Sequence, residues 1–230
     1  MNANSITRVA GLIGEAARIQ MLSALLDGNS HSASALALVA GVSPQTASSH
    51  LSKLHTGGLI VSEQKGRQRF FRLKGTDVAV AIEALGALAQ RPDTAAMPEL
   101  RFARTCYDHL AGALAIALRD ELLKKSAIRH EPDAFVLTRT GERFLASLQI
   151  DAEPLRKLRR SFARTCLDWT ERHPHIGGAV GAALLSRFLE RKWLVRIRHT
   201  RSLRLTHEGE SEFERVFGIR CAVIRTRSGS

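Results

Sequence analysis

The chain has 230 residues, of which 34 are Lys or Arg and 22 are Asp or Glu, so its formal net charge is +12 at neutral pH. This length allows more than one hydrophobic core, and the charge predicts attraction to a polyanion that weakens as salt rises. An anionic membrane surface is a competing partner, but no segment has the apolar length or amphipathic character of an anchor. The lack of a charged-then-apolar leader and the presence of only three cysteines predict a cytoplasmic protein with free thiols.

The segment from Ser32 to Leu73 predicts a helix, a tight turn, a second helix and then a basic hairpin. Ser32 is placed to cap a short Ala/Leu helix that ends before Gly41. Ser43 is placed to cap the second helix, Pro44 to Thr56, in which proline takes the first position and a pair of glycines follows the end. This order is typical of proteins that insert a helix into the major groove of DNA.

The two faces of the second helix differ in chemistry. Ala47, Leu51 and Leu54 share one face at helical spacing and should pack on a small core. The opposite face has short hydrogen-bonding side chains and almost no carboxylates, which suits base edges and phosphates. Two strand-like stretches follow, 59–61 and 69–73, joined by a Gly-containing turn at 64–68. The predicted DNA contacts are Ser43, Gln45, Thr46, Ser48, Ser49, Ser52, Lys53, Lys65, Arg67 and Arg69.

Two motifs in this segment carry a family resemblance. Ser-Ser-His-Leu at 48–51 and Gly-Arg-Gln-Arg-Phe-Phe-Arg-Leu at 66–73 resemble the ArsR/SmtB winged helix-turn-helix repressors. The resemblance covers roughly residues 5–90. It implies a homodimer joined through helices at about 6–12 and 76–89, with a metal ion or another signal that releases the operator. Neither familiar metal site of that family can be carried over, because 35–40 lacks cysteine and 76–90 offers only Asp77 and Glu83.

The predicted fold class is mainly α with small β-hairpins, in more than one domain. Residues 1–90 are predicted to form a winged helix domain for DNA binding and dimerisation, and 91–98 a linker. Residues 99–220 are predicted to form an effector or sensor domain, and 221–230 a basic tail in which Cys221 is a bystander.

The predicted sensor domain contains an internal repeat. Phe102-Ala103-Arg104-Thr105-Cys106 and Asp108 recur 60 residues later as Phe162-Ala163-Arg164-Thr165-Cys166 and Asp168, so six of seven positions are identical. Each copy is followed by an apolar helical stretch, a hairpin and a Thr-x-x-Gly sequence that opens a further helix. Because this ending is common in winged helices, the domain is predicted to hold two degenerate wing-like units.

The repeated Cys-x-Asp has two interpretations. If it lies on a helix, Cys106 belongs to a buried face, and each motif's Arg and Asp form an i,i+4 ion pair of structural value. If the two copies meet, they could bind zinc, nickel, cobalt or cadmium as an effector. The candidate metal ligands are Cys106, Asp108, His109, Cys166, Asp168, His173 and His175. An organic ligand in an apolar pocket, or thiol oxidation, remains as an alternative effector.

The sequence favours a regulator over an enzyme. It lacks a Gly-rich phosphate loop, a nucleophile elbow and the spacing of a zinc hydrolase, so no catalytic residues are predicted. A non-specific nucleic-acid-binding protein is a further alternative, which a sequence-indifferent affinity would reveal. The prediction is therefore a sequence-specific DNA-binding transcription regulator, an autoregulated homodimeric repressor released by an effector.

Overall fold

The computed structural model describes residues 3–89, 98–198 and 200–228. The chain divides into two compact units, Met1–Ile82 and Glu83–Ser230. Most of the predicted linker, residues 91–97, lies outside the described residues, whereas Pro98 begins a helix. The predicted class, mainly α with small hairpins, is confirmed.

The first unit is a winged helix-turn-helix. Its three-stranded antiparallel sheet has the order β1-β3-β2, and a single turn of 3-10 helix, Leu25–Asp27, precedes β1. The last helix continues across the boundary into the second unit. The elements are α1 (Ala3–Ile13), α2 (Ala16–Ala24), β1 (His31–Ser32), α3 (Ala33–Val39), α4 (Pro44–Thr56), β2 (Ile60–Lys65), β3 (Gln68–Leu73) and α5 (Thr76–Leu88).

The local chemistry predicted for α4 is confirmed. The Ser43 hydroxyl accepts a hydrogen bond from the Thr46 N–H at 3.2 Å, and Pro44 occupies the first helical position. Ala47, Leu51 and Leu54 are all buried. The hairpin that follows is tighter than predicted, because Lys65 pairs with Gln68 and leaves a two-residue turn. Glycine suits that turn, since Gly66 has a φ of +60°.

The second unit contains the same series of elements twice. Each repeat consists of a helix, a hairpin, a longer helix, a second hairpin and a final helix, which confirms the two wing-like units. Repeat 1 comprises α6 (Pro98–Phe102), β4 (Arg104–Cys106), β5 (His109–Ala111), α7 (Ala113–Lys124), β6 (Ile128–His130), β7 (Phe135–Leu137) and α8 (Arg139–Ser147). Repeat 2 comprises α9 (Ala152–Arg156), β8 (Arg164–Leu167), β9 (Pro174–Gly177), α10 (Gly178–Glu190), β10 (Leu194–Arg196), β11 (Leu203–Leu205) and α11 (His207–Glu212).

Two features of this unit differ from the prediction. The helix considered for Cys106 is wrong, because Arg104–Cys106 is a strand and α7 begins only at Ala113. The predicted basic tail contains helix α12 (Cys221–Ser228), which follows a π-helical turn at Phe213–Phe217. Cys221 is buried in the hydrophobic core of the unit.

Reciprocal hydrogen bonds join the two repeats. The Leu203 N–H donates to the Ala103 carbonyl at 2.8 Å, and the Phe135 N–H donates to the Ala163 carbonyl at 2.9 Å. Each bond therefore connects the first hairpin region of one repeat to the second hairpin of the other. One continuous apolar core, which includes Leu114 of repeat 1 and Phe188 of repeat 2, lies beneath both.

The Thr-x-x-Gly sequences cap the final helices as their positions suggested. Thr138 accepts a hydrogen bond from the Gly141 N–H, and Thr206 accepts one from the Gly209 N–H. A Cβ atom at Gly141 would collide with the Ala127 carbonyl oxygen, so the close approach of backbone requires glycine.

In the described ranges, no single helix is long and apolar enough to cross a bilayer. The stretches Ala3–Ile13 and Ala16–Asp27 meet that criterion only as a pair, and they are bent by 84°.

Candidate functional sites

Helix α4 presents the polar surface that the sequence predicted. All seven of its predicted DNA contacts, from Ser43 to Lys53, are exposed. Three of them are engaged locally, since Ser43 caps the helix, the hydroxyls of Ser43 and Thr46 share a hydrogen bond at 2.9 Å, and the Ser48 hydroxyl donates to the Pro44 carbonyl at 3.0 Å. Within the described residues, the side chains of Gln45 and Ser49 make no hydrogen bond, which leaves their polar atoms available to a partner.

The hairpin β2–β3 presents the predicted basic side chains at its tip. Lys65 pairs with Glu63 at 2.6 Å and lies 5.6 Å from the ring centroid of Phe70. Arg67 and Arg69 are exposed and form no ion pair within the described part of the chain. Their guanidinium groups can therefore approach phosphate oxygens without breaking an existing contact.

A buried cluster in the second unit contains four of the seven predicted metal ligands. Cys106 pairs directly with His109 across the β4–β5 ladder, and Cys166 pairs directly with His175 across the β8–β9 ladder. Residues directly opposite in an antiparallel ladder project to the same face, so each hairpin presents one thiol and one imidazole side by side. Cys106, His109, Cys166 and His175 constitute the Cys/His cluster, with one pair from each repeat.

The geometry of the Cys/His cluster fits a four-coordinate metal ion. The two sulfur atoms are 3.8 Å apart, and the four potential ligand atoms all lie within 4.8 Å of one another. Metal–sulfur bonds of about 2.3 Å in a tetrahedron place two sulfurs about 3.8 Å apart. Nε2 of His109 and both ring nitrogens of His175 are buried without a hydrogen-bond partner in the described residues. A metal ion would satisfy such atoms.

The cluster is closed to solvent and electrostatically coupled. Its four residues are between 0 and 6% exposed. The hydrogen bond from Cys106 and the neighbouring imidazoles outweigh burial and lower the pKa of Cys166, whereas the pKa of Cys106 is raised by Cys166 and by burial. Burial opposes protonation of His109, but Asp108 and Cys166 raise its pKa to about 9. These directions favour the thiolate form of Cys166, which is the form that binds a cation.

The other three predicted metal ligands lie outside the cluster. Asp108 contacts Nδ1 of His109 at 3.3 Å and Arg160 at 2.5 Å, and Asp168 forms a fully buried ion pair with Arg104 at 2.8 Å. His173 is exposed, and its carbonyl accepts the Asp168 N–H. The expected ion pairs within each motif, Arg104 with Asp108 and Arg164 with Asp168, are wrong, because the two aspartates pair with arginines of the opposite repeat, Asp168 with Arg104 and Asp108 with Arg160.

Comparison with known proteins gives full-length and partial matches. The uncharacterized HTH-type transcriptional regulator YdfF of Bacillus subtilis (strain 168) is 41% identical over 226 residues, which span 96% of this chain and 100% of that protein. This chain belongs to the HTH-type transcriptional regulators. The HTH-type transcriptional regulator Rv0324 of Mycobacterium tuberculosis is 32% identical over 76 residues, which span 33% of each protein. No protein-family model matches the sequence.

Solved structures resemble part of this HTH-type regulator. The winged helix-turn-helix fragment 1–100 of Mb0332 from Mycobacterium bovis, described as a possible ArsR-family regulator, is 27% identical and covers 37% of this chain and 78% of that one, with a TM-score of 0.35. Reduced HlyU from Vibrio cholerae is 28% identical and covers 39% of this chain and 94% of that one, with a TM-score of 0.36.

The sequence prediction gave Arg104 of the HTH-type regulator the wrong partner and missed Arg160. Arg104 and Arg160 hold the carboxylates of Asp168 and Asp108, respectively. Arg104 is part of the repeated motif, so the repeat itself was the signal for its importance. Arg160 stands just before the second copy, where sequence alone offers no reason to pair it with a residue 52 positions earlier.

Proposed function

We propose that this HTH-type regulator is an autoregulated, homodimeric, cytoplasmic repressor of the ArsR type that leaves its operator when a metal ion binds the Cys/His cluster. The single observation that carries the metal assignment is the convergence of two thiols and two imidazoles, one pair from each repeat, in a closed site. The DNA assignment rests on the exposed polar face of α4 and the basic hairpin.

The chemistry of α4 supports sequence-specific contact with DNA. Gln45 has an amide that can bind adenine bidentately, and Thr46, Ser49 and Ser52 have hydroxyls that can donate or accept a hydrogen bond. Lys53 and the hairpin arginines would bind phosphates, which fixes the position of the helix in the groove. Ser43 caps the helix and the Ser48 hydroxyl bonds to the Pro44 carbonyl, so both are weaker candidates for base contact.

Exposed apolar side chains support the proposed homodimer. Helix α1 has no buried residue, and its Ile6 is 50% exposed. On α5, Leu85 is 43% exposed and Leu88 is 82% exposed. These two helices are the ones that the ArsR resemblance places in the dimer interface, and a symmetric partner would remove such side chains from water.

The donor set supports zinc, cadmium or cobalt more strongly than nickel among the four metals considered. Two thiolates and two imidazoles in a tetrahedron suit d10 zinc and cadmium and accommodate cobalt, whereas nickel(II) commonly prefers square-planar or higher coordination. A divalent ion would balance the charge of two thiolates. Because the ligands come from both repeats, occupancy would alter the packing of the two repeats, which is how metal binding couples to protein conformation.

Thiol oxidation is the second candidate signal, because the two sulfurs already lie 3.8 Å apart. A peroxide would oxidise Cys106 and Cys166 to a disulfide, in which one S–S bond forms and the two thiol hydrogens leave in water as the peroxide O–O bond is reduced. The sulfurs would have to approach to about 2.0 Å. This reaction would remove both thiolates from the metal site, so the two signals would compete.

The test has a metal arm and a DNA arm. In the metal arm, apo protein is titrated with Co²⁺, and we expect one ion per chain, tetrahedral d–d bands and a thiolate charge-transfer band. Cys106→Ser/Cys166→Ser should abolish the charge-transfer band, while Cys221→Ser, which changes a buried cysteine outside the cluster, should retain it. Absence of cobalt binding by the unmodified protein would contradict the metal assignment.

In the DNA arm, fluorescence anisotropy compares a duplex from upstream of the protein's own gene with a random duplex at the same salt. We expect binding to the upstream duplex to be tighter by about 1,000-fold or more. Light scattering should give the mass of a dimer. Equal affinity for both duplexes would contradict sequence-specific regulation and favour a non-specific nucleic-acid-binding protein.

A further inference from the structure

Asp168 lies beside the Cys/His cluster without belonging to it. Its carboxylate is fully buried, and burial opposes its ionisation, but Arg104 and the hydrogen bonds around it hold its pKa well below the usual range. Oδ1 accepts hydrogen bonds from Arg104 Nη2 at 2.8 Å and from the hydroxyl of Thr170 at 2.8 Å. Oδ2 accepts the Gly112 N–H at 2.7 Å and lies 3.8 Å from Nδ1 of His175.

These contacts connect the two repeats. Arg104 lies on β4, and Gly112 is the N-cap of α7, so both belong to repeat 1. His175 lies on β9 and belongs to repeat 2. A single carboxylate oxygen, Oδ2 of Asp168, therefore faces a candidate metal ligand of one repeat and the backbone N–H of the N-cap residue of the long helix of the other.

Asp108, the matching residue of the first motif, is placed differently. Its side chain is 26% exposed, and it contacts Nδ1 of its own neighbour His109 and the guanidinium of Arg160. No helix N-terminus is among its hydrogen-bond partners in the described residues. Asp108 therefore contacts a histidine and an arginine, whereas Asp168 also accepts a backbone N–H at the start of a helix.

We infer that Asp168 is a positioning residue that orients His175 and communicates metal binding to the start of α7, an inference that rests on the proposed metal site. A ligand histidine usually donates its second N–H to a carboxylate or carbonyl, which fixes the tautomer and the ring orientation. Nδ1 of His175 has no hydrogen-bond partner in the described residues, and Asp168 Oδ2 stands just beyond hydrogen-bond distance. A small rotation of the imidazole closes that gap and leaves Nε2 as the ligand atom.

The same oxygen would then receive two donors. When His175 donates to Oδ2, the Gly112 N–H must share that acceptor, so the hydrogen bond at the N-terminus of α7 changes length. The backbone at this position requires glycine, because the φ of Gly112 is +90° and an added Cβ would approach the Arg101 carbonyl oxygen to 2.6 Å. Metal occupancy in the cluster should therefore appear as a change at the Gly112 amide.

The first test measures metal affinity by Zn²⁺ competition against a chromophoric chelator. Asp168→Asn keeps the size of the side chain but removes its charge, and we expect zinc affinity to fall by about 10- to 100-fold, the usual effect of losing an outer partner of a ligand. The Co²⁺ spectrum should remain that of two sulfurs and two nitrogens. Glu171→Gln is the matched control, because Glu171 pairs with Arg101 and does not face His175, and its affinity should stay within about twofold of the unmodified protein.

The second test starts from the unmodified protein and follows the backbone amide of Gly112 by NMR. Carbonyl-¹³C alanine with ¹⁵N glycine selects the amides of Gly11, Gly41 and Gly112, the glycines that follow alanine. In the unmodified protein, Zn²⁺ should shift the Gly112 resonance. At saturating zinc, Asp108→Asn should retain this shift and Asp168→Asn should lose it.

The outcomes separate the two proposals. If the unmodified protein binds zinc with no change at Gly112, and Asp168→Asn binds zinc as tightly, the role of Asp168 is overturned while the metal site stands. If the unmodified protein binds neither Zn²⁺ nor Co²⁺, both proposals fail. If Asp168→Asn loses folding, the absence of a zinc-dependent shift of Gly112 in the unmodified protein would still overturn the inference.

Discussion

The proposed DNA-contact surface of the first unit and the Cys/His cluster of the second unit differ in how far their polar side chains are buried. On α4, the candidate contacts are exposed and make few hydrogen bonds with one another. In the cluster, two thiols and two imidazoles are almost completely buried. A surface that must contact a polymer needs accessible groups on a rigid helix, whereas a centre that binds one ion needs converging groups from which water is excluded.

The largest expected effect is the loss of metal binding when both cysteines of the buried cluster are replaced. Cys106→Ser/Cys166→Ser removes both sulfur ligands, so zinc affinity should fall by more than the roughly 100-fold typical of outer residues. Chelator competition measures this loss, with Cys221→Ser as the buried control. DNA affinity of the apo protein should not change. A double variant that binds zinc normally would show that the thiols are structural only.

Arg104→Gln tests how much the buried ion pair between Arg104 and Asp168 stabilises the second unit. The substitution leaves the Asp168 carboxylate buried without its cation, and such losses destabilise proteins by about 3–5 kcal/mol. Urea unfolding of the second unit, followed by its tryptophan fluorescence, measures the change in the free energy of unfolding. Arg215→Gln, which removes a surface ion pair with Glu212, should cost little by comparison. Equal stability of the two variants would contradict the structural importance assigned to the buried pair.

Gln45→Ala tests the exposed side for base contact. We expect it to weaken operator binding by about 1–3 kcal/mol and to relax the preference at one base position, because an amide that binds a base edge is lost. Anisotropy on a set of operators with single base changes measures both effects. An equal loss of affinity for the operator and for the random duplex would show that Gln45 contacts the DNA backbone instead of a base.

Arg67→Ala tests the hairpin on the same exposed side. It should weaken binding to all duplexes by a similar factor and reduce the slope of log affinity against log salt by about 1, since one phosphate contact disappears. The measurement is a salt titration on operator and random DNA. An unchanged slope would remove Arg67 from the DNA contacts.

The smallest expected effect is a pH dependence of the first unit. The hydrogen bond to Asp27 outweighs burial and raises the pKa of His31, and burial of Asp27 is outweighed by hydrogen bonds from His31 and Asn29 that lower its pKa. His31 contributes its full stabilisation of the folded state below about pH 6.5, and this stabilisation is lost as pH rises through its raised pKa. The stabilisation from Asp27 is lost at low pH, when the carboxylate is protonated.

We expect His31→Gln to remove the alkaline loss of stability of the first unit, at a cost of about 1 kcal/mol or less near pH 6. Urea unfolding from pH 5 to 9 provides the test. An alkaline loss that persists in the variant would assign it to another group.

Local signals explain why α4 could be predicted to the residue. A serine cap, a proline at the first position and glycines after the end mark both boundaries within the helix's own sequence. Helix α2 was missed because its cap is Glu15, which is not a preferred capping residue, and its sequence is weakly amphipathic. Strand β1 has two residues and depends on pairing with β3, which no local pattern reveals.

The Cys/His cluster could be predicted in composition but not in geometry. The repeat singled out the two cysteines, yet Cys106 and His109 are separated by a tight turn in which Tyr107 has a φ of +61°. That conformation is unusual for tyrosine, so an apolar helix appeared more favourable than a hairpin. In the second copy the turn is longer, which hid the equivalence of His175 and His109. Only the two ladders make each histidine the direct partner of a cysteine.

Control of DNA binding by the Cys/His cluster is tested most directly by anisotropy of the regulator on its own upstream DNA as Zn²⁺, Cd²⁺ or Co²⁺ is added. We expect the unmodified protein and Cys221→Ser to release the duplex when the metal binds, whereas Cys106→Ser/Cys166→Ser should stay bound. If the unmodified protein and the double variant respond to metal identically, or neither responds, the Cys/His cluster does not control DNA binding.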